Sequence, residues 1–222
     1  FKDEYANMPV DVQKDEEKGL YYVQKEKKRL YFRKSTPAKK IQKYYRALSM
    51  EQDRRSPHHY FNSVKEVTGK VFVDVGCAEG YSSLEIIEEA KHVYLFEQDE
   101  QWLEAIRATF EPWQDKVTIV QKYVSDHNSS REQTLDDFFN NQTNEHLFLK
   151  MDIEGAERHA LAGCNNLFQN CQKLDFAICT YHLRDDEEVI SAFLDKHNCT
   201  YINQKGFFRH KIRSVVMRGS KK

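Results

Sequence analysis

The sequence predicts a Rossmann-like α/β fold: a central, mostly parallel sheet closed by an antiparallel C-terminal hairpin, with a further hairpin and a helix ahead of it. Three observations lead there. From Lys70 onward, short apolar runs alternate with segments of helical period. The first of these runs, Val71-Phe72-Val73-Asp74-Val75, is almost continuously apolar, as a strand covered on both faces must be. Near the end, the connection Gln204 to Lys211 is too short for a crossover helix, so the strands around it must pair antiparallel.

Taken in order, Phe1 to Lys18 is charged, has no apolar period and reads as a loose arm. Leu20 to Val23 and Leu30 to Phe32, separated by the polar Lys25 to Arg29, read as a hairpin. Ile41, Tyr44, Tyr45 and Leu48 fall on one helical face, and Ser56-Pro57 marks a break. These make an N-terminal extension over residues 1–69, ahead of a sheet domain over 70–222. After the first strand and its glycine turn, Leu84, Ile87 and Ala90 lie on a helix, and His92 to Phe96 is a second strand. Trp102, Leu103, Ile106 and Phe110 outline a second helix, followed by strands at Val117 to Val120 and His146 to Met151. A short helix runs from Ala156 to near Gly163, and Leu174 to Thr180 is a fifth strand. Val189, Ile190, Phe193 and Leu194 share a helix face before the closing strands Cys199 to Asn203 and Ile212 to Met217.

Composition narrows the class. The chain has 222 residues, 40% of them hydrophobic and 31% charged, which reads as soluble and globular. Lys plus Arg (34) nearly balances Asp plus Glu (35), which weighs against nucleic acid or an acidic membrane as a partner. No apolar run approaches the ~20 residues of a membrane span, and Phe1 to Tyr5 lacks a signal-peptide core. Cys77, Cys164, Cys171, Cys179 and Cys199 form no CxxC pair and read as reduced thiols of a cytoplasmic protein.

The segment Val73 to Gly80 sits where the first strand turns into the first helix. Gly76 permits the tight turn, and small residues at Ala78 and Gly80, on either side of Glu79, let a ligand meet the backbone. Asp74 can accept a hydrogen bond from an ammonium group. A dinucleotide enzyme would want G-x-G-x-x-G to seat a pyrophosphate, and this spacing differs. Glu97 ends the second strand roughly 20 residues further on, placed to grip ribose hydroxyls. It is also an acid beside Asp99 and Glu100 at a helix start, where the macrodipole alone favours it. Ser125 and Asp126 follow the third strand, placed to flank an adenine, in a stretch that equally reads as a turn.

The fourth strand runs into Leu149-Lys150-Met151-Asp152-Ile153-Glu154-Gly155-Ala156-Glu157, which resembles the KxDxEGxE signature of the FkbM-type methyltransferase family. Glu51-Gln52 with Ser56-Pro57-His58, Thr134-Leu135-Asp136-Asp137, and Tyr181-His182 with Asp185-Asp186 resemble further segments of that family. The resemblance implies a class I methyltransferase fold and methyl transfer from S-adenosylmethionine (SAM), most often to oxygen, on glycans or secondary metabolites. On that implication Asp74, Gly76, Ala78, Glu79, Gly80, Glu97, Ser125 and Asp126 hold the cofactor.

Transfer to a hydroxyl requires alignment of the acceptor and removal of its proton. Asp152 and Glu154 at the end of the fourth strand and His182 at the end of the fifth should be neighbours over the cleft. Either His182 is the general base and Asp152 orients it or the acceptor, or Asp152, Glu154 or Glu157, and His182 hold Mg²⁺ or Mn²⁺. His58, His59 and Tyr60 are expected to cover the methionine end of the cofactor. The leading expectation is a small-molecule or glycan acceptor. The basic stretch Lys25 to Lys43, interleaved with Tyr31, Phe32, Tyr44 and Tyr45, keeps an RNA methyltransferase as a rival. A non-catalytic cofactor-binding protein is a second rival.

Overall fold

The computed structural model describes residues 2–140, 145–208 and 211–221. Helix α1 (Lys2–Ala6), strands β1 (Val12–Asp15), β2 (Leu20–Lys25) and β3 (Lys28–Tyr31), and helix α2 (Ala38–Glu51) come first. Then follow β4 (Val71–Val75), α3 (Tyr81–Ile86), β5 (His92–Phe96), α4 (Glu100–Phe110), β6 (Val117–Val120), β7 (Tyr123–Val124) and β8 (Glu132–Gln133). The chain continues through α5 (Leu135–Phe138), β9 (His146–Met151), α6 (Glu157–Ala162), α7 (Asn165–Asn170), β10 (Lys173–Cys179) and α8 (Asp186–Lys196). It closes with β11 (Thr200–Phe208) and β12 (Lys211–Lys221).

Seven strands make one sheet in the order β11-β12-β10-β9-β4-β5-β6. From β6 to β10 the pairing is parallel, while β12 runs antiparallel to both β10 and β11. This is the Rossmann-like architecture expected from the sequence. The chain winds outward from β4 to β6 and then returns to β9 on the other side of β4. That reversal opens a crevice beyond the C-terminal ends of β4 and β9, where ligands bind in such sheets.

Strand periodicity divides the core between the two faces. Val71, Val73 and Val75 pack with Leu147, Leu149 and Met151 against the α5 to α8 side. Phe72, Val93, Leu95 and Phe148 face the other way, into a cluster that also holds Leu20, Leu30, Phe32 and Ile41. The N-terminal hairpin and α2 therefore share a continuous core with the α3 and α4 side of the sheet.

Two expectations need correction. The charged N-terminal stretch is not a loose arm, because it contains α1 and β1, and β1 adds to the β2–β3 hairpin. An edge strand with both ends half-buried needs only backbone pairing, so it leaves no apolar period to read. The segment is fastened by Gln42 and Arg46, whose side chains donate to the Val10 and Met8 carbonyls at 3.0 and 2.8 Å. The closing strands are also longer than their apolar runs, since their ends carry polar residues that hydrophobic patterning does not mark.

Candidate active site

The ends of β4, β5, β9 and β10, roofed by α2 and the loop after it, enclose a cavity of about 1060 Å³. That is at the upper end of the roughly 300–1,000 Å³ of small-molecule sites, with room for two ligands side by side.

At one end of the cleft lies the turn after β4. Gly76, Ala78 and Gly80 have φ of +79°, +47° and +80°. Glu97 fastens this turn: its Oε2 accepts from the Ala78 N–H at 3.0 Å and its Oε1 from the Asp99 N–H at 2.8 Å. A carboxylate has about four acceptor positions, so lone pairs remain for a diol. Glu79 is buried and accepts from the Tyr44 hydroxyl at 2.7 Å, and burial pushes its carboxyl up. Ser125 and Asp126 line the same end. Asp126 lies between His127 at 2.8 Å and His159 at 3.5 Å, and these contacts hold it below the usual carboxylate range.

Gly80 does not serve as expected. It is absent from the cavity wall, and a Cβ there would lie 2.6 Å from the Phe110 ring, so its missing side chain makes room for α4. Gly76 is likewise needed for packing, since a Cβ there would run into the Asp152 carbonyl oxygen.

Asp74 also departs from expectation. It is 1% exposed, accepts from the Ser83 hydroxyl at 2.6 Å, and has Lys150 Nζ 2.8 Å from its other oxygen. The register of β4 and β9 sets Asp74 directly opposite Lys150. Lys150 thus matches its charge within the chain, while Asp74 still lines the cavity. Burial alone would lower the Lys150 pKa, but Asp74 and Asp152 hold the ammonium above its ordinary value. Lys150 also donates to the Gly76 carbonyl at 2.7 Å, tying the glycine turn to β9. The sequence carried a signal for this pair: a lysine inside an apolar strand needs a buried counter-charge.

At the other end of the cleft, Asp152 Oδ2 accepts from the Tyr60 hydroxyl at 2.6 Å, with His58 Nε2 3.9 Å away. Asp152 Oδ1 is buried without a hydrogen-bond partner among the described residues. Burial would raise this carboxyl, but Lys150 and His58 outweigh it and hold the pKa below its ordinary value. His58 shares a hydrogen bond of 3.1 Å with the Tyr181 hydroxyl, and burial pushes its pKa down, so it is neutral near pH 7. Glu51, at the end of α2, lines the same space. Burial, with Asp152, Glu79 and Glu154 nearby, pushes it up to about 7. Tyr60 was expected to cover the methionine end of the cofactor and instead bonds Asp152; Glu51 and Tyr181 had no assigned chemistry in the sequence, because only tertiary packing brings them here.

His182 is placed differently from expectation. Its side chain is 8% exposed and lies behind Asp152, outside the cavity wall. Its Nδ1 is 2.9 Å from the buried Glu157 carboxylate, and its Nε2 is 3.5 Å from Asp152. Burial would lower this imidazole, but Glu157, Asp152 and Glu154 outweigh it and raise the pKa. An imidazole that does not line the cavity is poorly placed to take a proton from a bound acceptor.

The metal set changes too. Asp152, Glu157 and His182 can bring ligand atoms within 4.8 Å of one another, whereas the Glu154 side chain is 91% exposed. Glu157 already accepts from the Ile153 and Gly155 N–H groups at 2.9 and 3.1 Å. Neither Glu157 nor His182 reaches the cavity, so this donor set does not fit a cation that activates an acceptor. A second group, His58, Asp152 and Cys179, meets the same distance limit, but Tyr60 and Tyr181 already engage its first two members.

Fold and cleft together define a Rossmann-type domain with a ligand crevice at its strand ends. Residues 42–203 match the model of the methyltransferase FkbM domain, and the chain belongs to that family. A methyltransferase FkbM from Methylobacillus flagellatus superposes with a TM-score of 0.55 and 16% identity, covering 83% of this chain and 55% of its own. This chain therefore spans about half the length of that relative. Magnesium protoporphyrin IX methyltransferase from Synechocystis, solved with bound SAM, superposes with a TM-score of 0.52 and 12% identity, covering 85% of this chain and 86% of its own. At such identities the likeness speaks for the fold alone. No curated protein matches the sequence. Among the described residues, no helix is long and apolar enough to cross a membrane.

Proposed function

We propose that the protein transfers the methyl group of SAM to a hydroxyl of a small neutral acceptor: a sugar, a glycan or a hydroxylated secondary metabolite. The observation that carries this reading is a pair of carboxyls in one pocket with opposed environments. Asp152 is kept ionised, while Glu51 titrates near pH 7. Such a split is how one site provides both a fixed anion and a proton acceptor.

SAM supplies an electrophilic methyl on a sulfonium, so the chain must add orientation and a place for the proton. Glu97 holds the ribose through its remaining lone pairs, and Ser125 and Asp126 flank the adenine. Asp152 Oδ1 accepts from the substrate hydroxyl and fixes its direction. Glu51 takes the proton, with a pKa matched to neutral conditions. Tyr60 and the neutral His58 keep the Asp152 carboxylate in place. Glu51, Asp152 and Glu154 together make this end of the cleft repel phosphates, which weighs against RNA as acceptor.

The test is transfer of labelled methyl from SAM to a panel of monosaccharides, glycosides and hydroxylated metabolites, with RNA as the contrasting substrate. Labelling of a hydroxyl compound is expected. Glu51→Gln should lower kcat by on the order of 10²–10⁴-fold while S-adenosylhomocysteine (SAH) still binds. Labelling of RNA alone, or wild-type turnover by Glu51→Gln, overturns the reading.

A further inference from the structure

The β11–β12 hairpin has a feature that methyl transfer does not use. The register places Val216 opposite Cys179, the last residue of β10, and the hairpin continues to Phe207 and Ile212, which pair with each other. It therefore projects roughly 15 Å past the sheet edge. Because β11 runs parallel to β10, the projection is on the side where the cleft opens. Phe207 is 78% exposed and Ile212 65%, and Leu183, which is 42% exposed, accepts from the Arg213 guanidinium at 2.5 Å. Lys205 shares the face of Phe207 and Ile212 and is paired with Glu187 at 3.1 Å, while Lys211 and Arg213 alternate onto the other face of the hairpin; the sequence from Lys205 to Arg213 contains no acidic residue. The near-zero net charge of the whole chain hides this local excess.

The hairpin is also fixed to the acceptor end of the cleft. Gln204 donates to the Pro57 and His59 carbonyls at 2.9 and 3.0 Å, on either side of His58. A Cβ on Gly206 would run into Pro57, so the two segments pack in direct contact.

We infer that this hairpin end docks on an anionic phospholipid surface. A hairpin end that carries exposed apolar side chains on one face and Lys211 and Arg213 on the other matches the two layers of a bilayer interface, acyl boundary and negative headgroups. An aliphatic Ile212 beside Phe207 suits acyl chains and offers nothing for base stacking, so lipid is favoured over RNA. A projecting element can insert its end without disturbing the sheet.

The test is sedimentation of the full chain with vesicles of phosphatidylcholine alone and of phosphatidylcholine mixed with phosphatidylglycerol. The wild type should pellet with the mixed vesicles and stay in solution with the neutral ones. Replacing both Phe207→Ser and Ile212→Ser should lower partitioning by about tenfold, and Lys211→Glu by about fivefold or more. Both variants should keep the wild-type melting temperature and SAH affinity, which separates lost docking from lost folding. Failure of the wild type to pellet, equal binding to both vesicle types, or unchanged binding by the folded variants overturns the inference. So does a labelled RNA that binds through these residues when vesicles do not.

Discussion

At the cofactor end of the cleft, Gly76, Ala78, Glu79 and Glu97 come from one short stretch and two adjacent strands, and backbone N–H groups set their geometry. At the acceptor end, Glu51, His58, Tyr60, Asp152 and Tyr181 come from three distant parts of the chain, and burial and neighbouring charge set their chemistry. The first kind of site is local and tolerates little variation in backbone shape. The second depends on the N-terminal extension packing over the sheet, so its residues can be exchanged while the turn beneath stays the same. Lys150 joins the two, touching Asp74 and the Gly76 carbonyl on one side and influencing Asp152 on the other.

Removing that link should have the largest effect. Lys150→Met leaves the Asp74 carboxylate buried and uncompensated, and should cost about 3–5 kcal/mol of stability in urea unfolding. A loss below 1 kcal/mol would mean that the two ends are not electrostatically joined.

The next test concerns the cofactor end alone. Glu97→Ala should weaken SAH binding by about 1.5–3 kcal/mol in calorimetry, as for hydrogen bonds to a charged group. Unchanged affinity would leave Glu97 only as the fastener of the turn. Gly80→Ala tests the reassigned glycine. It should lower stability by about 1–3 kcal/mol through the Phe110 contact and the positive φ. SAH affinity of the folded fraction should stay within a few fold, and selective loss of binding would return Gly80 to the ligand wall.

The smallest effect is a pH slope at the acceptor end. Folding raises Glu51 from an ordinary 4.5 to about 7, so the native state binds the extra proton. Its contribution is most favourable below 4.5 and is lost as pH rises towards and through 7. Urea unfolding across that window should show wild-type stability declining relative to Glu51→Gln, and parallel curves would mean that Glu51 titrates normally.

The same contrast explains what the sequence disclosed. Alternation of apolar runs from Lys70, the glycine turn, and the short link before β12 were enough for the fold, because each is a local pattern. Asp152 stood out through its motif and Glu97 through its spacing, and both line the cavity. His182 was misjudged because adjacency of strand ends does not say which way a side chain turns. Here Glu157, two residues beyond the Gly155 turn, draws the imidazole behind the strand. Glu51 was present in the sequence as a residue without a partner in view, since its environment comes from burial by elements far along the chain.

The absence of a side chain at Gly76 has a mechanical consequence. With Gly76 packed on the Asp152 carbonyl, and the Asp152 N–H bonded to the Val75 carbonyl at 3.1 Å, donor turn and acceptor acid have no slack between them. A ligand that stiffens the turn should therefore stiffen the strand end that presents Asp152. Hydrogen exchange at the Asp152 amide should slow when SAH binds, before any acceptor is added. An unchanged rate would mean that the two backbones move independently. Arrival of the donor would then be felt where the acceptor has yet to land, through contact between two lengths of main chain.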